Sequence, residues 1–504
     1  MMTAARWLAA RSIIARLDVP AYWRQEGYRE QILRWVQQGL GGVCLFGGTV
    51  EEAARAAHEV QALSRVPLLV AADLEYGLPM RFSGGTAFPR AFALARAGRP
   101  DWTSDIARAI ARQARWCGIG WNFAPVCDLA TQPDNPVIGI RAFGQNPEEA
   151  VPHIRAWIQA SQEEGVWACA KHFPGHGDVT VDSHEALPCV LASQEQMWGR
   201  ELVPFRQACA TGVAGIMLGH LQVPALGIHE EPASLSAQAV QFVRQQLGYE
   251  GVIVTDALDM GAITRHWSTA ESVERALRAG VDLLLMPPEV EEAIEVAARL
   301  LERSPELMQQ RRRSLLRVQQ VRERLSVEER GWEEDGTAAY LALRVAWEAI
   351  EIVGQSSLVP LAEEAHVAIF ACLAERRLEL PTLFFRLFSQ KTRCPCDMAY
   401  VDASLTPWEE QRLFESIPDA THAVVILFLP PRMDPKAFRR WYGFLEHCAT
   451  RYPTVAVLCG NPFVPIPPSV AALMKTYSDT EPSVAAAALR LAGVRPSWQA
   501  DELV

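Results

Sequence analysis

Eight short apolar runs recur along the first 290 residues, and amphipathic helical stretches separate them. The runs are SIIARL (12–17), GVCLFG (42–47), LLVAAD (68–73), GWNFAP (120–125), ACAKHF (168–173), GIMLGH (215–220), GVIVTD (251–256) and DLLLMP (282–287). Each is continuously apolar rather than alternating, the pattern of a strand buried on both faces in a parallel sheet covered by helices. Helical patterns between them include VEEAARAAHEVQALS from Val50, SDIARAIARQARWCG from Ser104 and TAESVERALRAG from Thr269. Thr269, with acids close behind it, reads as a capped helix start. Eight strand–helix units within 305 residues predict a (β/α)8 TIM barrel. A doubly wound open sheet is the rival, but no GxGxxG follows the first strand.

The pattern changes after Glu302. A stretch of mixed Glu and Arg reads as solvated connecting helices. Beyond it, HVAIFAC (366–372), MAYVDA (398–403), HAVVILFL (422–429) and TVAVLCG (454–460) read as parallel strands of a second α/β domain. The predicted layout is a barrel over 1–305, a helical linker over 306–350 and a C-terminal α/β/α sandwich domain over 351–504.

Composition removes several classes of function. Of 504 residues, 49% are hydrophobic and 21% charged, so an ordinary core is available. The net charge of -11 argues against a nucleic-acid partner and gives no support for an anionic membrane surface. No apolar run is long enough to span a bilayer, and the first twenty residues do not read as a signal peptide. The 11 cysteines are scattered without a CxxC pair, as expected of buried, reduced thiols in a cytoplasmic protein.

In an eight-stranded barrel the working residues lie at the C-terminal strand ends and in the loops that follow. Asp73 closes the third run, with Arg81 in the loop after it. Asp128 and Arg141 follow the fourth, and Lys171 and His172 close the fifth. His220 closes the sixth and Asp256 the seventh. The fifth loop, KHFPGHGDVTVDSH, carries Asp182 and His184 at i and i+2, which share a side in extended chain. A carboxylate beside an imidazole makes a general acid/base that works near neutrality. Gly175 and Gly177 are read as giving that loop freedom to move. Asp256, at the end of a very apolar strand, is the candidate nucleophile. Asp259 is read as serving the first turn of the next helix. The FPG between His172 and His176 breaks any helix, and no HExxH occurs, so neither a metal nor another cofactor is expected.

These residues resemble glycoside hydrolase family 3, in its bacterial β-N-acetylglucosaminidase branch. KHFPGHGDVTVDSH and GVIVTDALDMGAI carry the likeness, with ADLEYGLPMR and VIGIRAFG matching more loosely over roughly residues 10–300. The resemblance implies a retaining glycosidase that removes a terminal N-acetylglucosamine from a small carbohydrate, peptidoglycan fragments among them. Asp256 would be the nucleophile and His184, oriented by Asp182, the acid/base. Asp73, Arg81, Arg141, Lys171 and His172 would hold sugar hydroxyls. A phosphorylase and a β-glucosidase built on the same residues are the alternatives, and a non-catalytic sugar-binding protein is disfavoured by the intact Asp256 and His184. The family usually reads Asp-Gln-Glu-Gly-Gly near Asp73, whereas this chain reads DLEYG, with Tyr76 in place of a glycine.

Overall fold

The computed structural model describes residues 3–180, 182, 187–324, 336–373, 378–402, 404–429 and 435–496. The chain divides into two compact units.

The first unit takes in residues up to 86, 103–138 and 142–333. Its strands are β1 (Ile13–Asp18), β2 (Gly42–Phe46), β3 (Leu69–Ala72), β4 (Trp121–Asn122), β5 (Cys169–Phe173), β6 (Gly215–Leu218), β7 (Val252–Thr255) and β8 (Leu284–Leu285). Parallel pairing gives the orders β4-β3-β2-β1-β8 and β5-β6-β7. Bridges at Trp121/Trp167 and Val126/Lys171 link β4 to β5, and Val254/Leu283 links β7 to β8, so the pairing runs around a ring. Every run predicted as a strand from 12 to 287 contains one of these elements. The fourth is cut to two residues, Trp121–Asn122.

The ring interior is filled by Ile14, Cys44, Ala71, Cys169 and Val254, among others. Side chains alternate along a strand, so the next inward positions are two residues on. Those positions are Arg16, Phe46, Asp73, Lys171 and Asp256. One rule of period two therefore carries the chain from a sealed apolar layer to a charged layer at the strand ends.

The opposite end is closed by a buried carboxylate. Asp282 accepts from Arg244 Nη2 at 2.6 Å, Arg317 Nη1 at 3.0 Å and the Ile253 amide at 2.8 Å. Arg317 lies on the helix Pro305–Arg324, whose Val318 and Val321 join the ring interior. That helix thus packs into the first unit, and Thr337–Ala349 falls in the second, so the span 306–350 is shared between units rather than solvated throughout. Asp282→Ala would strand two guanidinium groups that are largely buried. We expect a loss of about 3 kcal/mol in stability, read as a lower denaturation midpoint, with KM unchanged in the fraction that remains folded.

The second unit combines 87–102, 139–141 and the chain from 334. Phe92 explains the first of these segments: its ring stacks on Tyr477 with centroids 5.5 Å apart and meets Phe463 edge-on at 5.9 Å. The strands are β9 (Glu351–Gly354), β10 (Val367–Leu373), β11 (Cys396–Asp402), β12 (His422–Leu429), β13 (Thr454–Gly460) and β14 (Ala472–Lys475). Their order is β11-β10-β12-β13-β14-β9, parallel except for β9. One face packs Phe384, Phe388 and Val484, and the other packs Phe414, Trp441 and Phe444. Helices therefore cover both faces. Sequence reading missed β9, a half-exposed antiparallel edge, and β14, which is only four residues long.

Two local expectations are corrected. The helix Thr269–Ala279 is capped by Ser268, not Thr269, in a reciprocal capping box with Glu271. The cysteines are free thiols, but Cys189 is exposed rather than buried.

Candidate active site

Lys171 organises one half of the charged layer. It is 2% exposed, and its Nζ lies 2.7 Å from Asp73 Oδ1 and 2.8 Å from Glu75 Oε1. Arg81 Nη2 holds the other Asp73 oxygen at 2.6 Å. Burial alone would raise the Asp73 carboxyl, but Lys171 and Arg81 overcome it and hold the group well below the usual carboxylate range. Asn122, at the end of β4, fixes the backbone between the two acids. Its Oδ1 accepts from the Leu74 amide at 2.9 Å and its Nδ2 donates to the Leu74 carbonyl at 3.3 Å.

Asp128 organises the other half. Its Oδ2 accepts from His172 Nδ1 at 2.7 Å, and its Oδ1 accepts from the His176 amide at 2.6 Å. The bond to Nδ1 sets the His172 tautomer and leaves Nε2 for a ligand. Burial would raise the Asp128 carboxyl, but His172 and His176 bring it below its ordinary value. Burial, then His172, pushes the His176 imidazole down to about 4, so it is neutral near pH 7. A register shift in the β5–β6 pairing falls at Lys171–His172. Such irregularities re-aim side chains, and here adjacent residues serve different carboxylates.

Asp256 follows β7 directly. Its amide donates to the Leu218 carbonyl, and its Oδ1 accepts from the Ala257 amide at 2.8 Å. Burial opposes its charge, yet His220, His172, the Ala257 amide and Lys171 together hold its carboxyl below the ordinary value. The group is therefore an anion near neutrality, the form a nucleophile requires. His220 is fully buried. Its Nε2 donates to the Ala257 carbonyl at 2.8 Å and its Nδ1 accepts from the Ser234 hydroxyl at 2.7 Å. It braces the segment carrying Asp256.

Asp259 differs from expectation. The next helix, Gly261–Thr264, has Met260 as its N-cap and no acid in its first turn. Asp259 Oδ2 instead accepts from Arg16 Nη1 at 3.3 Å. Burial raises the Asp259 carboxyl against that pull. Arg16 lies 4.3 Å over the Phe46 ring, and Arg81 lies 4.7 Å from the same ring centroid. Sequence reading missed Arg16, Phe46, Glu75 and Asn122. The signal for the first two was their spacing of two from Ile14 and Cys44.

The fifth loop is only partly described. Asp182 is half-buried, and His184 lies outside the described residues. The loop's glycines answer packing and backbone demands. A Cβ on Gly177 would stand 1.7 Å from the Leu129 carbonyl oxygen, and Gly175 has φ +125°. Asn135 then locks the backbone. Its Nδ2 donates to the carbonyls of His176 and Gly177 at 2.8 and 3.0 Å, and its Oδ1 accepts from the amides of Val137 and Ile138. Gly177→Ala should therefore lower stability by about 3 kcal/mol, seen in the melting temperature. An unchanged melting temperature would mean that the loop is loosely held. Arg141 closes the turn Gly139–Arg141, which belongs to the second unit. Among the described residues, no three His, Cys, Asp or Glu side chains gather as a metal site.

A ring of parallel strands with a carboxylate at one strand end, and an Asp–Lys–Arg cluster with a carboxylate-bound histidine at others, has the make-up of a (β/α)-barrel enzyme site. The model of the glycosyl hydrolase family 3 N terminal domain matches residues 12–321, and the chain belongs to that family. Beta-hexosaminidase A of Pseudoalteromonas piscicida is 34% identical over 280 residues, covering 49% of this chain and 46% of that protein. Beta-hexosaminidase LpqI of Mycobacterium tuberculosis is 39% identical over 229 residues, covering 44% and 58%. The chain thus spans about half the length of these curated relatives. A solved family 3 beta-N-acetylglucosaminidase from Paenibacillus sp. str. FPU-7 superposes with a TM-score of 0.84 at 26% identity, covering 98% of this chain and 97% of that one.

Proposed function

We propose that this protein is a retaining β-N-acetylglucosaminidase acting on terminal, non-reducing N-acetylglucosamine. The observation that carries the reading is the Asp256 carboxyl at the end of β7, its Oδ1 held 2.8 Å from the Ala257 amide and its backbone bound to Leu218, in the strand-end layer that also holds Lys171 and His172. The Asp256 carboxylate attacks the anomeric carbon as the glycosidic C–O bond breaks, and His184 gives its proton to the departing oxygen. His184 then takes a proton from water, whose oxygen displaces Asp256 and restores the first configuration. Asp182 stabilises the imidazolium. Asp73, Arg81, Lys171 and His172 hold the sugar's hydroxyls, with Glu75 as a further acceptor beside Lys171.

The names of the similar proteins support the sugar assignment. The reading takes the (β/α)8 barrel as the catalytic domain and the C-terminal α/β/α sandwich as outside the chemistry. Natural substrates are peptidoglycan fragments, and the cysteine usage favours a reducing cytoplasm. Nitrophenyl β-N-acetylglucosaminide and the matching glucoside, each with and without phosphate, test the assignment. Faster turnover of the N-acetylglucosaminide, independent of phosphate, is expected. Faster turnover of the glucoside would defeat the sugar assignment, and a requirement for phosphate would make the protein a phosphorylase.

A further inference from the structure

The helix after the fifth loop holds a carboxyl group that the reaction above does not use. Glu201 ends a π-helical segment, Met197–Glu201, that runs into the helix Leu202–Ala210. A π segment departs from regular helical spacing and often marks a functional position. Here two consecutive residues, Arg200 and Glu201, both reach the loop. Arg200 Nε donates to Glu201 Oε1 at 2.7 Å, and Arg200 Nη2 donates to Asp178 Oδ2 at 2.8 Å. The Glu201 side chain is 1% exposed, and its Oε2 has no hydrogen-bond partner among the described residues. A Cβ on Gly175 would stand 3.3 Å from Glu201 Cβ and Oε2, so the loop backbone lies directly on this side chain. One guanidinium thus serves two carboxyl groups, one beneath the loop and one on it.

We propose that Glu201 is a positioning residue: acting through Arg200 on Asp178, its carboxyl sets how firmly the segment Gly175–Asp178 is held, and with it the placement of Asp182 four residues on. The link to catalysis rests on the assignment of this loop to the acid/base step. A buried carboxylate with an unpartnered oxygen is costly, and a neutral carboxyl much less so. Burial pushes Glu201 up to about 7 against the pull of Arg200, and Asp178 and Asp128 add to the rise. Arg200 faces it from its own helix, Asp178 from the loop and Asp128 from the segment after β4. When Glu201 is protonated, the Arg200 charge falls wholly to Asp178. When it is ionised, two carboxylates divide that charge. The value in the packed state lies above the ordinary one, so packing holds a proton more tightly than an opened loop does. The stabilisation is complete below the ordinary glutamate value and is lost as pH rises through about 7.

Amide hydrogen exchange on the peptide spanning 173–180 of the full chain, corrected for intrinsic rates, tests this without relying on turnover. In the unaltered protein, exchange should quicken about tenfold between pH 6 and pH 8. Glu201→Gln should show slow exchange with no such dependence, and Arg200→Gln should exchange fast at both pH values. The same pH dependence in Glu201→Gln, a flat profile in the unaltered protein, or slow exchange in Arg200→Gln would each overturn the proposal. Should Glu201→Gln fail to fold, the unaltered protein and Arg200→Gln still decide. On aryl glycosides with poor leaving groups, kcat of the unaltered protein should fall with loop protection, and Glu201→Gln should shift that limb upward in pH. Absence of all glycosidase activity alongside pH-dependent loop exchange would sink the reaction assignment and leave the clamp standing.

Discussion

Asp256→Asn is expected to reduce kcat by on the order of 10⁴-fold or more while leaving the fold intact. The substitution keeps an oxygen for the Ala257 amide, which donates to Asp256 Oδ1 at 2.8 Å, and keeps the backbone anchor to Leu218. It removes only the negative charge that attacks the anomeric carbon. Circular dichroism and the melting temperature should therefore match the unaltered protein, and substrate binding should survive. Turnover by the asparagine variant within tenfold of the unaltered protein would exclude Asp256 as nucleophile. Asp259 is the poorer candidate, because it pairs with Arg16.

Lys171→Met is expected to damage both stability and catalysis. The ammonium is the shared partner of Asp73 and Glu75, at 2.7 and 2.8 Å, and all three side chains are largely buried. Without it, the two carboxylates lose the ammonium they share, while Arg81 still holds Asp73. Breaking a buried pair from one side costs about 3–5 kcal/mol. A misplaced sugar-binding acid should also lower kcat/KM by about 10²-fold or more. The pH dependence has a definite sign. In the unaltered protein the Asp73 carboxyl is held below its ordinary value, so its contribution to stability is present above about pH 4 and is lost as pH falls through the depressed value. In the variant most of that contribution is gone and burial favours the protonated acid. The difference in melting temperature should thus be largest near pH 7 and shrink below about pH 4. A difference that grows toward acid pH would contradict the account.

Much of this architecture is legible in the sequence because a strand buried on both faces must be apolar throughout. All eight runs of the first 290 residues hold a strand, and HAVVILFL and TVAVLCG coincide with β12 and β13. The polar residues that end those runs stand out against them, which is why Asp73, Lys171, His172 and Asp256 could be picked. Residues that work by holding backbone are not marked in this way. Asn122 and Asn135 look like ordinary loop asparagines until the carbonyls and amides they bind are in view. Gly177 reads as a flexible position because the Leu129 carbonyl that crowds it is 48 residues away in sequence. Asp259 reads as a helix-start acid because the exposed Arg16 that binds it sits on the first strand. Contacts between distant segments set these roles, and one-dimensional pattern carries no record of them.

The first-formed anomer of the product, followed by proton NMR in phosphate buffer with an N-acetylglucosaminide as substrate, tests the central claim most directly. The account predicts β-N-acetylglucosamine appearing first, with the α anomer growing in only by mutarotation. Initial release of the α anomer, or of a sugar 1-phosphate, would contradict a retaining hydrolase built on Asp256.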